Sequence, residues 1–196
     1  MKLFCYGDSN TYGYDPRSFL SDRYSPEVRW TSLLQRETGW VVVNAGLNGR
    51  EIPHTSWQME QFDRLLALYP DFDLLAVMLG GNDLLQNGSF TAVDVAGRME
   101  GFLRHLCEKL PSASLLLLAP PPMRRGAWVT EERLLRESAL LGPAYAALAS
   151  RLGVPFADSG QWNIELVFDG VHFSEKGHRA FAEGMRLHGL HAAAPF

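Results

Sequence analysis

The chain has 196 residues, of which 46% are hydrophobic and 20% are charged, and its formal net charge is −4. This length and composition are typical of a single folded domain, so one domain over residues 1–196 is expected. The slightly acidic charge gives no reason to expect a nucleic-acid partner. No apolar run approaches the ~20 residues that a membrane helix requires, so no membrane span is expected either.

The chain opens directly on an apolar stretch, with no basic segment and no longer apolar segment before it. A secretory signal has those two segments, so a cytoplasmic location is expected. The sequence contains only two cysteines, Cys5 and Cys107, which are too few for a disulfide framework. Both are predicted to be reduced thiols in the core.

The first predicted element is a short strand over residues 3–6, because four apolar residues in a row fit a strand covered on both faces. The turn Gly7-Asp8-Ser9 follows it directly. In open α/β sheets, ligands bind at the carboxyl ends of the strands. Ser9 is therefore a candidate nucleophile, provided that another residue supplies a base.

Predicted helices and strands then alternate along the chain. The first helix begins at Ser25-Pro26-Glu27 and ends at Gly39, and the others cover residues 57–69, 91–110 and 130–152 and the segment after Ser174. Pro143 is expected to kink or divide the fourth helix. The remaining strands are predicted over residues 40–43, 74–79, 115–118 and 154–157, and a loose tail is expected from His188. This alternation predicts an α/β fold, with a five-stranded parallel sheet and helices on both faces.

Polar turns follow three of the strands: residues 7–9, residues 44–46 and residues 80–83. The carboxyl ends of parallel strands share one edge of the sheet, so these turns should converge there. A fourth cluster, Asp169-Gly170-Val171-His172, precedes the last helix and can reach the same edge.

The spacing of Asp169 and His172 suits a serine–histidine–aspartate set. Asp169 can accept a hydrogen bond from His172 Nδ1, which leaves Nε2 free to act as a base. His172 would then take the proton of Ser9 and return it to the leaving group. The oxyanion of the tetrahedral intermediate needs donors, for which the N–H groups of Gly46 and Ser9 and the amide of Asn82 are candidates.

These four blocks resemble the SGNH, or GDSL, hydrolases: Gly-Asp-Ser near the start, a glycine after the second strand, Gly-x-Asn-Asp after the third and Asp-x-x-His before the last helix. The resemblance implies a flavodoxin-like three-layer α/β/α fold and a serine ester hydrolase that forms an acyl-enzyme. It assigns Ser9, Asp169 and His172 as the triad, and Ser9, Gly46 and Asn82 as oxyanion donors. Its substrates would be small acyl esters, with thioesterase or lysophospholipase activity as the alternative within the family.

Two further stretches, Arg29-Trp30-Thr31 and Asn48-Gly49-Arg50, are most similar to the arylesterase and carbohydrate-esterase branch. The family needs no cofactor or metal, and none is expected here. Branches of it assemble, so a homo-oligomer is compatible with the resemblance.

Two other functions fit parts of the pattern. Asp8, Asp83, Asp169 and His172 could be the ligands of a metal-dependent phosphoesterase, although Asp8, Asp83 and Asn44 are better interpreted as turn-forming residues. A non-catalytic, flavodoxin-like nucleotide-binding module is the third hypothesis, but no Gly-x-Gly-x-x-Gly turn follows any strand.

Aromatic residues and two arginines lie in or beside the predicted loops at this edge. Some of the aromatic residues are expected to line a small acyl or alcohol site, with core packing as the alternative for each: Trp57, Phe90, Trp128, Trp162, Phe168 and Phe173. Arg124 and Arg125 could meet an acidic substrate, but a solvated loop is favoured. The other histidines show no metal-ligand spacing: His54, His105, His178, His188 and His191.

Overall fold

The fold is that of a computed structural model, which describes residues 1–18, 22–110 and 114–192. At its centre is a five-stranded parallel sheet with the strand order β2-β1-β3-β4-β5. The strands are β1 (Lys2–Gly7), β2 (Val41–Gly46), β3 (Leu74–Met78), β4 (Ser114–Ala119) and β5 (Phe156–Asp158). This is the flavodoxin-like order, so the predicted α/β fold class is confirmed.

Helices connect the strands and cover the sheet. They are α1 (Ser9–Tyr12), α2 (Trp30–Thr38), α3 (Ser56–Ala67), α4 (Gly81–Gln86), α5 (Ala92–Lys109), α6 (Glu132–Leu152), α7 (Glu175–Gly184) and α8 (Leu190–Ala192). A 3-10 turn at Ser159–Gln161 follows β5, and a π-helical segment at Met185–Gly189 joins α7 to α8.

Alternate residues of each strand face the two helical layers, because side chains in a strand point to opposite faces in turn. In β1, Leu3 and Cys5 pack in the cluster that contains α2 and α7. Phe4 and Tyr6 pack in the other cluster, with α3, α5 and α6. Since both faces are covered, every residue of β3 is apolar and buried.

Capping residues set the starts of several helices. Thr91 accepts the N–H of Asp94 and forms a capping box at α5, and Ser174 accepts the N–H of Gly177 at α7. Both caps are confirmed. Thr55 forms a second capping box at α3 that the sequence analysis did not identify.

Three helical predictions need correction. Helix α2 begins at Trp30, because the Ser25 carbonyl closes a turn with Val28 N–H instead of opening the helix. Helix α6 runs through Pro143, so the proline does not divide it, and a kink there stays a prediction; buried residues on both sides of the proline hold the helix in the core. The chain from His188 continues as helix up to residue 192, and the end of the tail lies outside the described residues.

The polar turns also differ from expectation. Strand β2 continues to Gly46, which pairs with Gly7 of β1, so residues 44–46 are strand and not turn. After β3 the chain enters the short helix α4 directly. Cys5 is buried, but Cys107 is exposed on α5, so only one of the two thiols belongs to the core. No helix in the described ranges combines the length and apolarity needed to cross a membrane.

Candidate active site

Ser9 is the first residue of α1, directly beyond the carboxyl end of β1. Asp8 caps this short helix by accepting the N–H of Asn10 at 2.9 Å, which confirms its predicted turn-forming role. The first N–H groups of a helix have no intrahelical partner, so the Ser9 N–H stays available as a donor.

His172 lies between Ser9 and Asp169. Its Nε2 is 3.0 Å from Ser9 Oγ, although 163 positions separate the two residues in the sequence. Its Nδ1 is 2.7 Å from Asp169 Oδ2. A carboxylate can only accept, so Nδ1 carries the proton and Nε2 presents its lone pair to the serine hydroxyl. The geometry can therefore move a proton from Ser9 to His172.

The loop that carries both residues is fixed by its backbone. Asp169 Oδ1 accepts the N–H groups of Val171 at 2.8 Å and His172 at 3.0 Å. Gly170 has a φ of +83°, and a Cβ there would lie 2.0 Å from the carbonyl oxygen of Arg124. Only glycine fits this position, and it allows one tight turn to present the two side chains together.

Burial and hydrogen bonds have opposite effects on the pKa values of the carboxyl groups of the site. Burial alone would raise the pKa of Asp169, but the bonds from the His172 ring and from the His172 and Val171 N–H groups outweigh it and lower that pKa. Asp169 thus stays ionised beside the imidazole. Burial raises the pKa of Asp8 to about 6, against the opposing effects of the Asn10 N–H, His172 and Arg50.

Asn10 connects the loop that carries His172 to helix α1. Its Nδ2 donates to the carbonyl of Val171 at 3.1 Å, and its Oδ1 accepts the N–H of Phe173 at 2.9 Å. These two bonds hold the residues on either side of His172. The sequence analysis missed this role, because nothing in the sequence distinguishes Asn10 from an ordinary turn asparagine.

Two aromatic rings flank His172. The ring centroid of Tyr14 lies 4.7 Å from that of the imidazole, and the centroid of Trp128 lies 5.0 Å from it, both edge-to-face. Trp128 remains 51% exposed, so much of its surface is available to a substrate. Trp128 was among the predicted lining residues, whereas Tyr14 was missed for lack of any motif.

His178 lies behind the site and is completely buried. Its Nδ1 accepts the N–H of Trp30 at 3.4 Å, while its Nε2 has no partner among the described residues. Its ring contacts Tyr24 and Phe173 edge-to-face. Burial lowers the pKa of His178 to about 3, so this ring is neutral at pH 7.

The predicted oxyanion donors have different surroundings. Asn82 lies in the first turn of α4, and its Nδ2 donates one hydrogen to the carbonyl of Arg50 at 3.0 Å, so the second hydrogen remains available. Gly46 does not meet the expectation, because its only N–H donates to Asn44 Oδ1 at 3.0 Å. A Cβ on Gly46 would also lie 2.1 Å from the backbone nitrogen of Tyr12, so this glycine serves close packing of β2 against α1.

Gly49 follows in the next turn, where the Arg50 N–H donates to the carbonyl of Leu47. The Gly49 N–H has no partner in the described part of the chain, and no atom lies within 4 Å of a Cβ built on it. Asn82 contacts the carbonyl of the neighbouring Arg50. Gly49 is therefore the glycine of this stretch whose N–H is free beside Asn82.

The residues of the phosphoesterase hypothesis are not assembled as a ligand set. Asp83 binds Arg98 at 2.8 Å and the N–H of Ile52 at 3.1 Å, so it links α4 to α5 and is more than a turn-forming residue. Within the described ranges, no three histidine, cysteine or acidic residues lie together as a metal site. Asn44 also does more than form a turn, since its Nδ2 donates to the carbonyl of Thr11 and its Oδ1 accepts the N–H of Gly46.

The remaining aromatic residues divide between core and surface. Phe173 is fully buried, and Trp162 and Phe90 pack against the two core clusters. Trp57 and Phe168 are 67% and 62% exposed. The side chain of Arg125 pairs with Glu132 on the exposed surface, which favours a solvated loop over an acidic-substrate site.

The sequence model of the GDSL-like lipase/acylhydrolase family matches residues 5–180. The chain belongs to this family. This GDSL-like acylhydrolase is a carboxylic ester hydrolase, as its family and the solved esterase structures similar to it indicate. No curated protein matches the chain.

Solved structures similar to this acylhydrolase include esterases. The native aryl esterase of M. smegmatis superposes with a TM-score of 0.80 at 27% identity, over 94% of this chain and 98% of that chain. A carbohydrate acetylesterase family member from Sinorhizobium meliloti superposes with a TM-score of 0.81 at 29% identity, over 94% of both chains.

Proposed function

We propose that the chain hydrolyses small acyl esters through a serine–histidine–aspartate triad and a covalent acyl-enzyme. The observation that carries this proposal is the continuous set of contacts from Ser9 Oγ to His172 Nε2 at 3.0 Å and from His172 Nδ1 to Asp169 at 2.7 Å. An alcohol, a base and an orienting acid in this order are what nucleophilic catalysis on a carbonyl requires.

In the first half-reaction, Ser9 Oγ bonds to the carbonyl carbon while its proton passes to His172 Nε2. The carbonyl π electrons move to the oxygen, giving a tetrahedral oxyanion. When the oxyanion collapses, the bond to the leaving oxygen breaks, and that oxygen takes the proton from His172. Water then repeats the sequence on the acyl-enzyme and releases the acid, which restores the Ser9 hydroxyl.

The oxyanion would be held by the N–H of Ser9 and the second amide hydrogen of Asn82. The free N–H of Gly49 is proposed as the third donor in place of Gly46, whose N–H is already bonded to Asn44. Loss of one such donor costs about 3–4 kcal/mol of transition-state stabilisation in a well-studied hydrolase.

The leaving group would lie against Tyr14 and Trp128. Because His172 Nε2 must protonate the leaving oxygen, that group has to lie next to the imidazole, and these two rings flank it at 4.7 and 5.0 Å. The half-exposed Trp128 suits a flat or apolar alcohol. The aryl esterase and carbohydrate acetylesterase structures similar to this chain support aryl and acetyl esters as the first substrates to examine.

The test is hydrolysis of p-nitrophenyl acetate by Ser9→Ala, with Ser89→Ala as the matched control on the exposed surface. We expect Ser9→Ala to lose several orders of magnitude in kcat and Ser89→Ala to retain wild-type kcat. A fluorophosphonate should label the wild type at Ser9, as read by peptide mass spectrometry. Retained turnover in Ser9→Ala, or labelling at another residue, would refute the proposal.

A further inference from the structure

A cavity of about 330 Å³ opens between the segment that follows β2 and helix α3. Its lining includes the apolar Leu47 and Trp57, the amide residue Gln61, and the charged residues Arg50 and Glu51. Leu47 and Trp57 are 56% and 67% exposed, unusually high for large apolar residues. The volume falls within the range of small-molecule sites.

No carboxylate among the described residues forms an ion pair with Arg50. Its guanidinium carbon lies 4.1 Å from the ring centroid of Tyr6, and its Nη1 donates to the carbonyls of Gly7, at 2.7 Å, and Ala45. Nη2 and Nε have no hydrogen-bond partner, and no acidic side chain lies within ion-pair distance, among the residues described. Arginine stays charged in proteins, so the cavity contains an unpaired cation with unused donors.

The nearest acidic groups do not supply the missing partner. Glu51 also lines the cavity, but its carboxylate binds Arg98 at 3.0 Å and Asn87 at 2.7 Å. Asp8 acts on Arg50 only through longer-range attraction, which partly offsets the lowering of the Arg50 pKa by burial. A guanidinium taken out of water in this way gains from a bound anion.

Arg50 connects this cavity with the proposed oxyanion site through hydrogen bonds. The backbone carbonyl of Arg50 contacts Asn82, and its side chain contacts Gly7, which precedes Ser9 by two residues. Two residues of chain span at most about 7 Å. An acyl chain attached to Ser9 and extended away from His172 could cover that distance.

We propose that this Arg50 cavity binds the acyl part of esters whose acyl chain ends in a carboxylate, that is, half-esters of dicarboxylic acids. This inference rests on the proposed function, since the acyl carbon must reach Ser9. The planar guanidinium matches the two oxygens of a carboxylate, and Leu47 and Trp57 cover the methylene groups between the two ends.

The experiment compares p-nitrophenyl hydrogen adipate with p-nitrophenyl hexanoate, which have acyl chains of equal length and differ in the terminal carboxylate. We expect the adipate to hexanoate ratio of kcat/KM to be about tenfold at low salt, and to fall as salt screens the charge. Gln61→Glu places a like charge in the cavity and should bring the ratio to about one. Gln61→Lys should raise it.

Val93→Glu is the matched control, because Val93 is 77% exposed on α5 and lies outside the cavity. It adds the same charge and should leave the ratio at the wild-type value. A wild-type ratio at or below one with hexanoate turnover intact, or a ratio indifferent to Gln61→Glu, would overturn this inference and leave the esterase proposal standing. Failure to hydrolyse either ester would overturn this inference, and the esterase proposal would fall with it only if p-nitrophenyl acetate were left intact as well.

Discussion

Replacing Asp169 with asparagine should inactivate the enzyme through the tautomer of His172, without disturbing the loop. Asp169 Oδ1 accepts two backbone N–H groups, from Val171 at 2.8 Å and His172 at 3.0 Å, and Oδ2 faces His172 Nδ1 at 2.7 Å. An asparagine keeps the two backbone bonds only if its oxygen takes the Oδ1 position. Its NH2 group must then face Nδ1. In the opposite orientation the NH2 group would face the two backbone N–H groups, and none of these groups could accept a hydrogen bond.

An NH2 group facing Nδ1 forces the proton onto His172 Nε2. That nitrogen then has no lone pair for the Ser9 hydroxyl, and the base is lost. In a serine protease the equivalent change lowers kcat about 10⁴-fold, and a similar loss, about 5 kcal/mol, is expected here. KM should change little, because Asp169 is completely buried.

Asp169→Ala is the informative comparison. Without a side-chain amide, the imidazole can adopt either tautomer, so this variant should keep more activity than Asp169→Asn. It should also be less stable, because the N–H groups of Val171 and His172 lose their acceptor at a cost of about 1–3 kcal/mol each. The structure thus predicts an inversion, in which the less stable variant is the more active one.

The assay is steady-state hydrolysis of p-nitrophenyl acetate by both variants, with urea unfolding of each at the same pH. Both measurements are needed, since the inversion concerns activity and stability together. An Asp169→Asn variant with more than a tenth of wild-type kcat would refute the tautomer argument. So would an Asp169→Ala variant that is both more stable and less active.

Three other substitutions test separate parts of the structure. Gly46→Ala places a methyl group 2.1 Å from the nitrogen of Tyr12; we expect roughly 1–3 kcal/mol of lost stability by urea unfolding, and an unchanged midpoint would contradict the close packing. Burial lowers the pKa of His178 from 6.5 to about 3. Between those values only the unfolded chain is protonated, so stability present above pH 6.5 should be lost on acidification, by several kcal/mol. His178→Gln should lose less stability than the wild type as the pH falls. Equal slopes of the free energy of unfolding against pH in the two proteins would count against the lowered pKa of His178. Trp128→Ala should lower kcat/KM for phenyl acetate up to about tenfold and for ethyl acetate much less; equal losses would remove Trp128 from the leaving-group site.

The order of the apolar segments along the sequence and their periodicity were informative about the fold. Apolar runs of strand length alternating with amphipathic helices predicted the parallel sheet, because burial on both faces leaves that pattern in every strand. Capping by Thr91 and Ser174 was also predictable, since a cap depends only on residues three positions apart. The start of α2 was not predictable, because the sequence Ser25-Pro26-Glu27 fits a helix start and a turn equally well.

For the candidate site, the blocks containing Ser9, Asp169 and His172 could be identified from sequence, and so could their convergence on one edge of the sheet. The glycine proposed as an oxyanion donor could not be identified from the sequence. Gly46 and Gly49 look alike in sequence, and the structure distinguishes them by the bond from the Gly46 N–H to Asn44 and by the close packing of Gly46 against Tyr12. Which glycine has a free N–H depends on how α1 packs over β2, and that is decided by contacts between distant segments.

The sequence by itself determined the fold class and the residue types that carry the chemistry, because periodicity and motif order are local properties of the chain. Only the tertiary structure decided that Asn10 holds the loop on both sides of His172, that Tyr14 and Trp128 flank the imidazole, and that Arg50 has no acidic partner among the residues described. The reason is that hydrogen bonds and ion pairs act over a few ångströms in space. Residues that lie far apart in the chain come within that range only when the sheet and its helices have assembled.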